Sequence, residues 1–140
     1  MKNTASKLAA ALAAGSLLLF GVAADAKPRL TPEQELAKTL EGRVAGKPQD
    51  CLYLPRVINT RIYDKTAIVY DAGNTIWVNR PDSGASSLDD NDIMVTTPFG
   101  SQLCSVDIVR MVDRTVGLWR GSIGLGKFVP YTKVKDAKGS

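Results

Sequence analysis

The chain contains no histidine among its 140 residues. That removes the usual general base at neutral pH, the Ser-His and Cys-His nucleophile pairs, and most zinc sites. Cysteine is scarce too, with two in all. They are too far apart for the C-x-x-C spacing of redox enzymes. Aromatic residues make up 6% of the chain. No run of basic residues stands out: Arg43, Arg56, Arg61, Arg80, Arg110, Arg114 and Arg120 are scattered, and the net charge is a mild +4. Nucleic acid is therefore not an expected partner. Carboxylates and lysines remain available for acid–base work. No metal or organic cofactor is implied.

The N-terminus has the layout of a secretory signal. Lys2 and Lys7 open it, Leu8 to Ala24 is apolar and uncharged, and Ala24-Asp25-Ala26 offers small residues where a signal peptidase cuts. The apolar stretch is shorter than the roughly 20 residues that span a bilayer, and Gly15, Ser16 and Gly21 interrupt it. Residues 1–26 are thus expected to leave as a signal peptide, with no transmembrane anchor afterwards. Lys2, Lys7 and Asp25 go with it and take one net positive charge. The destination is the periplasm or the medium, where a disulfide can form. Cys51 and Cys104 would then close a loop of about 50 residues, worth roughly 4 kcal/mol by chain entropy. A domain this small gains from such a staple.

Residues 27–47 read as a flexible leader followed by an amphipathic helix. Thr31 is a good N-cap, Pro32 suits the first helical position, and Gln34 completes a capping box. Leu36, Leu40 and Val44 recur at helical spacing over about three turns, with Gly42 or Gly46 as the stop. From residue 48 to 131 the pattern changes to period 2. Strands are expected at 57–63, 66–70, 75–78, 93–97, 116–120 and 127–131. Asp71-Ala72-Gly73-Asn74 is turn chemistry and makes 66–79 a hairpin. Residues 103–112 fit either a strand, being rich in β-branched residues, or a helix by the 106/109/112 spacing. Residues 132–140 read as a disordered polar tail. The fold class is therefore mainly β: a small antiparallel barrel or sandwich of about six strands, one N-terminal α-helix and one disulfide.

Several residues invite a functional reading. Trp77 shares a strand face with Thr75 and Asn79, opposite Ile76 and Val78, so it is either a packed core ring or an aromatic platform for a ligand. Trp119 poses the same choice. Arg80 and Arg120 lie close in sequence and are candidates to stack on these rings. Asp107 sits inside the apolar run Val106-Asp107-Ile108. It is on a solvent face, or ion-paired with Arg56 or Arg61 brought near by the disulfide, or else a catalytic carboxylate. Asp89-Asp90-Asn91-Asp92 lacks the glycine and closing glutamate of a calcium loop. Gly121 to Lys127 lacks the spacing of a phosphate loop; its glycines are expected to let two backbones approach in a bent strand.

The order Cys51-Leu52, Arg56-Val57-Ile58, Asp64 to Val69 and Val78-Asn79-Arg80, followed by Leu103-Cys104-Ser105-Val106-Asp107 and Leu125-Gly126-Lys127-Phe128-Val129-Pro130, resembles a family of small exported Gram-negative bacterial proteins of unknown function. The resemblance covers about residues 47 to 131. Its most specific pieces are the Leu-Cys-Ser-x-Asp segment and the Leu-Gly-x-Phe-x-Pro ending. Family members often carry two further cysteines, in the middle loop and before the closing Leu-Gly. Residues 83–92 and 121–124 hold neither, as expected if the two form a second bridge absent here. The resemblance implies export and compactness. It brings no activity or catalytic residue.

The expected function is that of an exported envelope protein: a non-enzymatic binding or structural β-domain, whose partner is another envelope protein or a small ligand. Its contact face is expected at the Trp77 hairpin or the Pro81–Asp92 loop. The alternative is a carboxylate-dependent enzyme built around Asp107.

Overall fold

A computed structural model describes residues 27–134. The expected signal peptide, 1–26, lies outside the described residues, as does the end of the expected tail, 135–140. Among the described residues no helix is long and apolar enough to cross a membrane.

Helix α1 (Pro32–Thr39) starts as its sequence requires. The Gln34 N–H donates to Thr31 Oγ1 at 3.3 Å, and the Thr31 N–H donates to Gln34 Oε1 at 2.9 Å. The helix is shorter than the spacing suggests. Leu40 caps it, and Gly42 then turns the chain at φ +70°, a conformation that costs glycine little. Val44, expected on the helix face, lies instead in strand β1 (Arg43–Ala45), opposite Thr132, and is exposed. A β-branched residue beside an open strand edge gains a ladder it would not have in a fourth helical turn.

Nine strands follow. β2 (Cys51–Tyr53) is followed by β3 (Asn59–Tyr63), β4 (Ala67–Ala72) and β5 (Thr75–Asn79). β6 (Asp92–Thr96), β7 (Gln102–Cys104), β8 (Ile108–Asp113), β9 (Trp119–Gly124) and β10 (Phe128–Lys133) complete the chain. They form three antiparallel sheets, ordered β1-β10-β5-β4-β3, β2-β7 and β6-β8-β9. None closes on itself; the architecture is a sandwich with one helix outside it, not a barrel.

The five-stranded sheet is buried on both faces, which is why β4 reads as the unbroken apolar run Ala-Ile-Val-Tyr. One face packs Tyr63, Ala67, Val69, Ile76 and Val78 against Leu36 of α1. The other places Ile68, Tyr70 and Phe128 against Leu52, Leu103, Val109, Met111 and Ile123 from the two smaller sheets. α1 is also tied by charge. Arg80 Nη1 and Nη2 donate to Glu33 at 3.0 and 2.6 Å, and Arg61 Nη2 donates to Glu35 at 3.3 Å.

The 103–112 segment is strand, but broken. β7 and β8 are separated by a turn in which the Cys104 N–H donates to Asp107 Oδ2 at 2.7 Å and the Asp107 N–H donates to the Cys104 carbonyl at 3.0 Å. The penultimate strand sits later than expected, at Trp119–Gly124 rather than 116–120, with glycines inside it. They are there for close approach: a Cβ on Gly121 would collide with Ser87, and one on Gly124 with Ser83. β10 runs two residues past the expected end, because Thr132 and Lys133 pair with β1, and Thr132 also pairs with β5. Cys51 and Cys104 are bonded and directly opposite each other in the β2–β7 pair.

Candidate functional site

The five residues singled out in the sequence do not converge. Trp77 is half-buried against the inner core cluster and lines a cavity of about 270 Å³ with Cys51, Tyr53, Arg56 and Gln102. Arg80 stacks on no tryptophan. Its bidentate bond to Glu33 anchors α1, and that hydrogen bond holds the Glu33 carboxyl below its ordinary range. Trp119 is 66% exposed on the outer face of the three-stranded sheet, opposite Val112. Arg120 does not stack on it. Its guanidinium reaches Asp89, Asp92 and Asp113 at 3.5–3.6 Å and ties the acidic loop to β9. The ring–cation contacts present are Arg61 over Tyr63 at 4.9 Å and Arg56 over Tyr53 at 6.0 Å. Asp107 pairs with neither Arg56 nor Arg61. Its carboxylate is committed to the β7–β8 turn.

The Pro81–Asp92 loop is less free than its polar sequence suggests. Leu88 plunges into the inner core, and Ala85–Ser87 forms a 3₁₀ turn against the glycines of β9. Carboxylate oxygens of Asp64, Asp89 and Asp90 lie within 4.8 Å of one another. Two of them already accept backbone protons: Asp64 Oδ1 from Asp90 at 2.7 Å, and Asp89 Oδ1 from Asn91 at 2.9 Å. The cluster braces a loop.

The site that does assemble lies elsewhere. A cavity of about 580 Å³ opens between β3 and β6. Thr60, Arg61 and Ile62 line it from β3; Asp92, Ile93, Met94 and Thr96 line it from β6. Tyr70, Leu103, Asp90 and Arg114 complete the wall. Successive side chains of a strand point to opposite faces. A cavity touching three consecutive residues on each of two strands therefore runs along their edges rather than over one face. β3 and β6 are both edge strands, each paired on one side only, with β4 and β8. Their outer N–H and C=O groups have no ladder partner.

Tyr70 is 3% exposed, and its hydroxyl has no hydrogen-bond partner. Burial raises its pKa above the ordinary tyrosine value. The other buried oxygen without a hydrogen bond, Asp92 Oδ2, faces the Arg120 Nε at 3.5 Å. Arg114, on the cavity wall, is exposed and makes no ion pair among the described residues. Sequence reasoning missed Tyr70, Thr60, Thr96 and Arg114. Only Tyr70 carried a signal: a polar tip at the end of a run buried on both faces.

The chain matches no family model, no curated protein and no solved structure.

Proposed function

We propose that this chain is an exported, non-enzymatic binding domain whose ligand sits in the cleft between β3 and β6. The observation that carries the reading is a cavity walled by two open strand edges, with the buried Tyr70, whose hydroxyl has no partner, among its lining residues. An unpaired buried hydroxyl costs about 1–3 kcal/mol. Native proteins rarely keep such a group, and this one belongs to a residue beside a concave cavity of the kind that takes ligands. Export is supported by the basic, apolar and small-residue layout of residues 1–26, by the Cys51–Cys104 bond, and by the resemblance to small exported proteins. The non-catalytic reading is supported by the lack of histidine and by the commitment of Asp107 to a turn.

The test is to map binding on the isotopically labelled protein, residues 27–140, against fractions of an envelope extract and a panel of short peptides. Amide shifts clustered at residues 60–62 and 92–96 are the expected result. Shifts confined to other surfaces, or none from any fraction or peptide, would overturn the reading. Export is checked by mass: periplasmic protein should begin at Lys27 and be two hydrogens lighter than its reduced form.

A further inference from the structure

We infer that the ligand of this cleft is an extended polypeptide segment, which pairs its backbone with β3 and β6 and sends alternate apolar side chains toward the core. The inference rests on the cleft being the binding site and says what enters it.

Both long walls are edge strands. β3 and β6 belong to different sheets and do not pair with each other. Along each outer edge, alternate residues offer an N–H and a C=O to a neighbour that is missing. A small ligand could satisfy one or two of these groups; an extended chain is the object whose donors and acceptors repeat at the same spacing. Each strand has five residues, about 16 Å of edge at ~3.3 Å per residue. A segment of about five residues matches that length.

The remaining lining residues agree with a strand as occupant. Ile62, Tyr70, Met94 and Leu103 are buried or half-buried and form the inner side. Every second side chain of a bound strand would point to them, so apolar residues are favoured at those positions. The other side chains would point outward, where Arg114 is exposed with its charge unpaired among the described residues. An acidic residue at an outward position complements it. The recognised pattern is therefore apolar–x–apolar, with an acid at x.

The test begins with a displayed library of random heptapeptides selected on the immobilised protein, residues 27–140, with its disulfide intact. Selected peptides should show apolar residues two apart with an acid between or beside them, and should slow amide hydrogen exchange along Asn59–Tyr63 and Asp92–Thr96. Analogues N-methylated at a backbone nitrogen keep every side chain but lose a donor; they should bind about tenfold more weakly. Arg114→Glu should shift selection from acidic to basic peptides while leaving the fold unchanged. Peptides that map to the cleft but are indifferent to N-methylation would overturn strand pairing and leave the cleft as the binding site. Peptides that protect neither strand, or a library yielding no binder, would overturn both.

Discussion

Replacing Tyr70 with phenylalanine should make this protein more stable, which runs against the usual effect of a substitution in a core. Tyr70 is 3% exposed, its ring lies 5.8 Å from that of Phe128, and its hydroxyl meets no partner. Phenylalanine keeps the ring and its packing and removes only the oxygen. The gain is the desolvation cost of that hydroxyl, about 1–2 kcal/mol, or a rise in Tm of roughly 4–10 °C for a domain of this size. Tyr63 supplies the matching control. It is as deeply buried, at 2% exposed, but its hydroxyl bonds Thr39 Oγ1 at 2.6 Å. Tyr63→Phe removes the same atom and should cost about 1 kcal/mol, since Thr39 then loses that partner. Urea unfolding of the oxidised protein at pH 7, followed by far-UV circular dichroism, measures both. The two variants should move in opposite directions. Alkali sharpens the comparison. Folding raises the Tyr70 pKa, so the folded state favours the protonated form. Its contribution holds below the unfolded tyrosine pKa near 10 and is lost as pH rises beyond it. The advantage of Tyr70→Phe over the parent should therefore widen above about pH 10. A Tyr70→Phe protein no more stable than its parent would mean the hydroxyl is partnered in solution.

Reducing the Cys51–Cys104 bond should lower stability by about 4 kcal/mol, read as a shift in the urea midpoint with and without dithiothreitol. Arg80→Ala should cost no more than about 1 kcal/mol, because the Glu33 pair is exposed. Glu33 titrates low in the folded state, so that difference is present above about pH 4.3 and disappears as pH falls below it. Asp107→Ala should cost about 1 kcal/mol through the loss of its bond to the Cys104 N–H, while peptide binding in the cleft is unchanged by calorimetry. Gly121→Ala should destabilise by about 1–3 kcal/mol in thermal melts, since the added methyl meets Ser87.

Much of the architecture was legible in the residues, because it rests on local chemistry. The capping box of Thr31 and Gln34, the β4–β5 hairpin around Gly73, and the mainly β character from residue 51 onward all follow from neighbours in sequence. What was not legible depends on distant partners. Val44 has helical spacing with Leu40, yet it pairs with Thr132, far along the chain. Trp77 and Trp119 look alike on paper, but one strand has layers on both sides and the other has an open outer face. The cleft is the clearest case. Its walls are distant in sequence, and what defines it is that neither β3 nor β6 has a second neighbour. A missing pairing leaves no mark on the residues of a strand. Arg120 drew attention as a candidate to stack on a tryptophan and Asp107 as a charge inside an apolar run, and both turned out to hold loops in place.

The position of β10 has a consequence for how the molecule comes into being. It is the last strand among the described residues, yet it lies between β1 and β5. A polypeptide delivered amino end first presents β1 early and β5 soon after, but nothing joins them until residues 128–133 emerge. Until then β1 has no ladder, and the outer edge of β5 stays open. Because these contacts span most of the described chain, closing them is slow relative to forming the neighbouring hairpins. The five-stranded sheet is thereby completed only when nearly all of the described chain has been delivered, whatever the two smaller sheets have already formed.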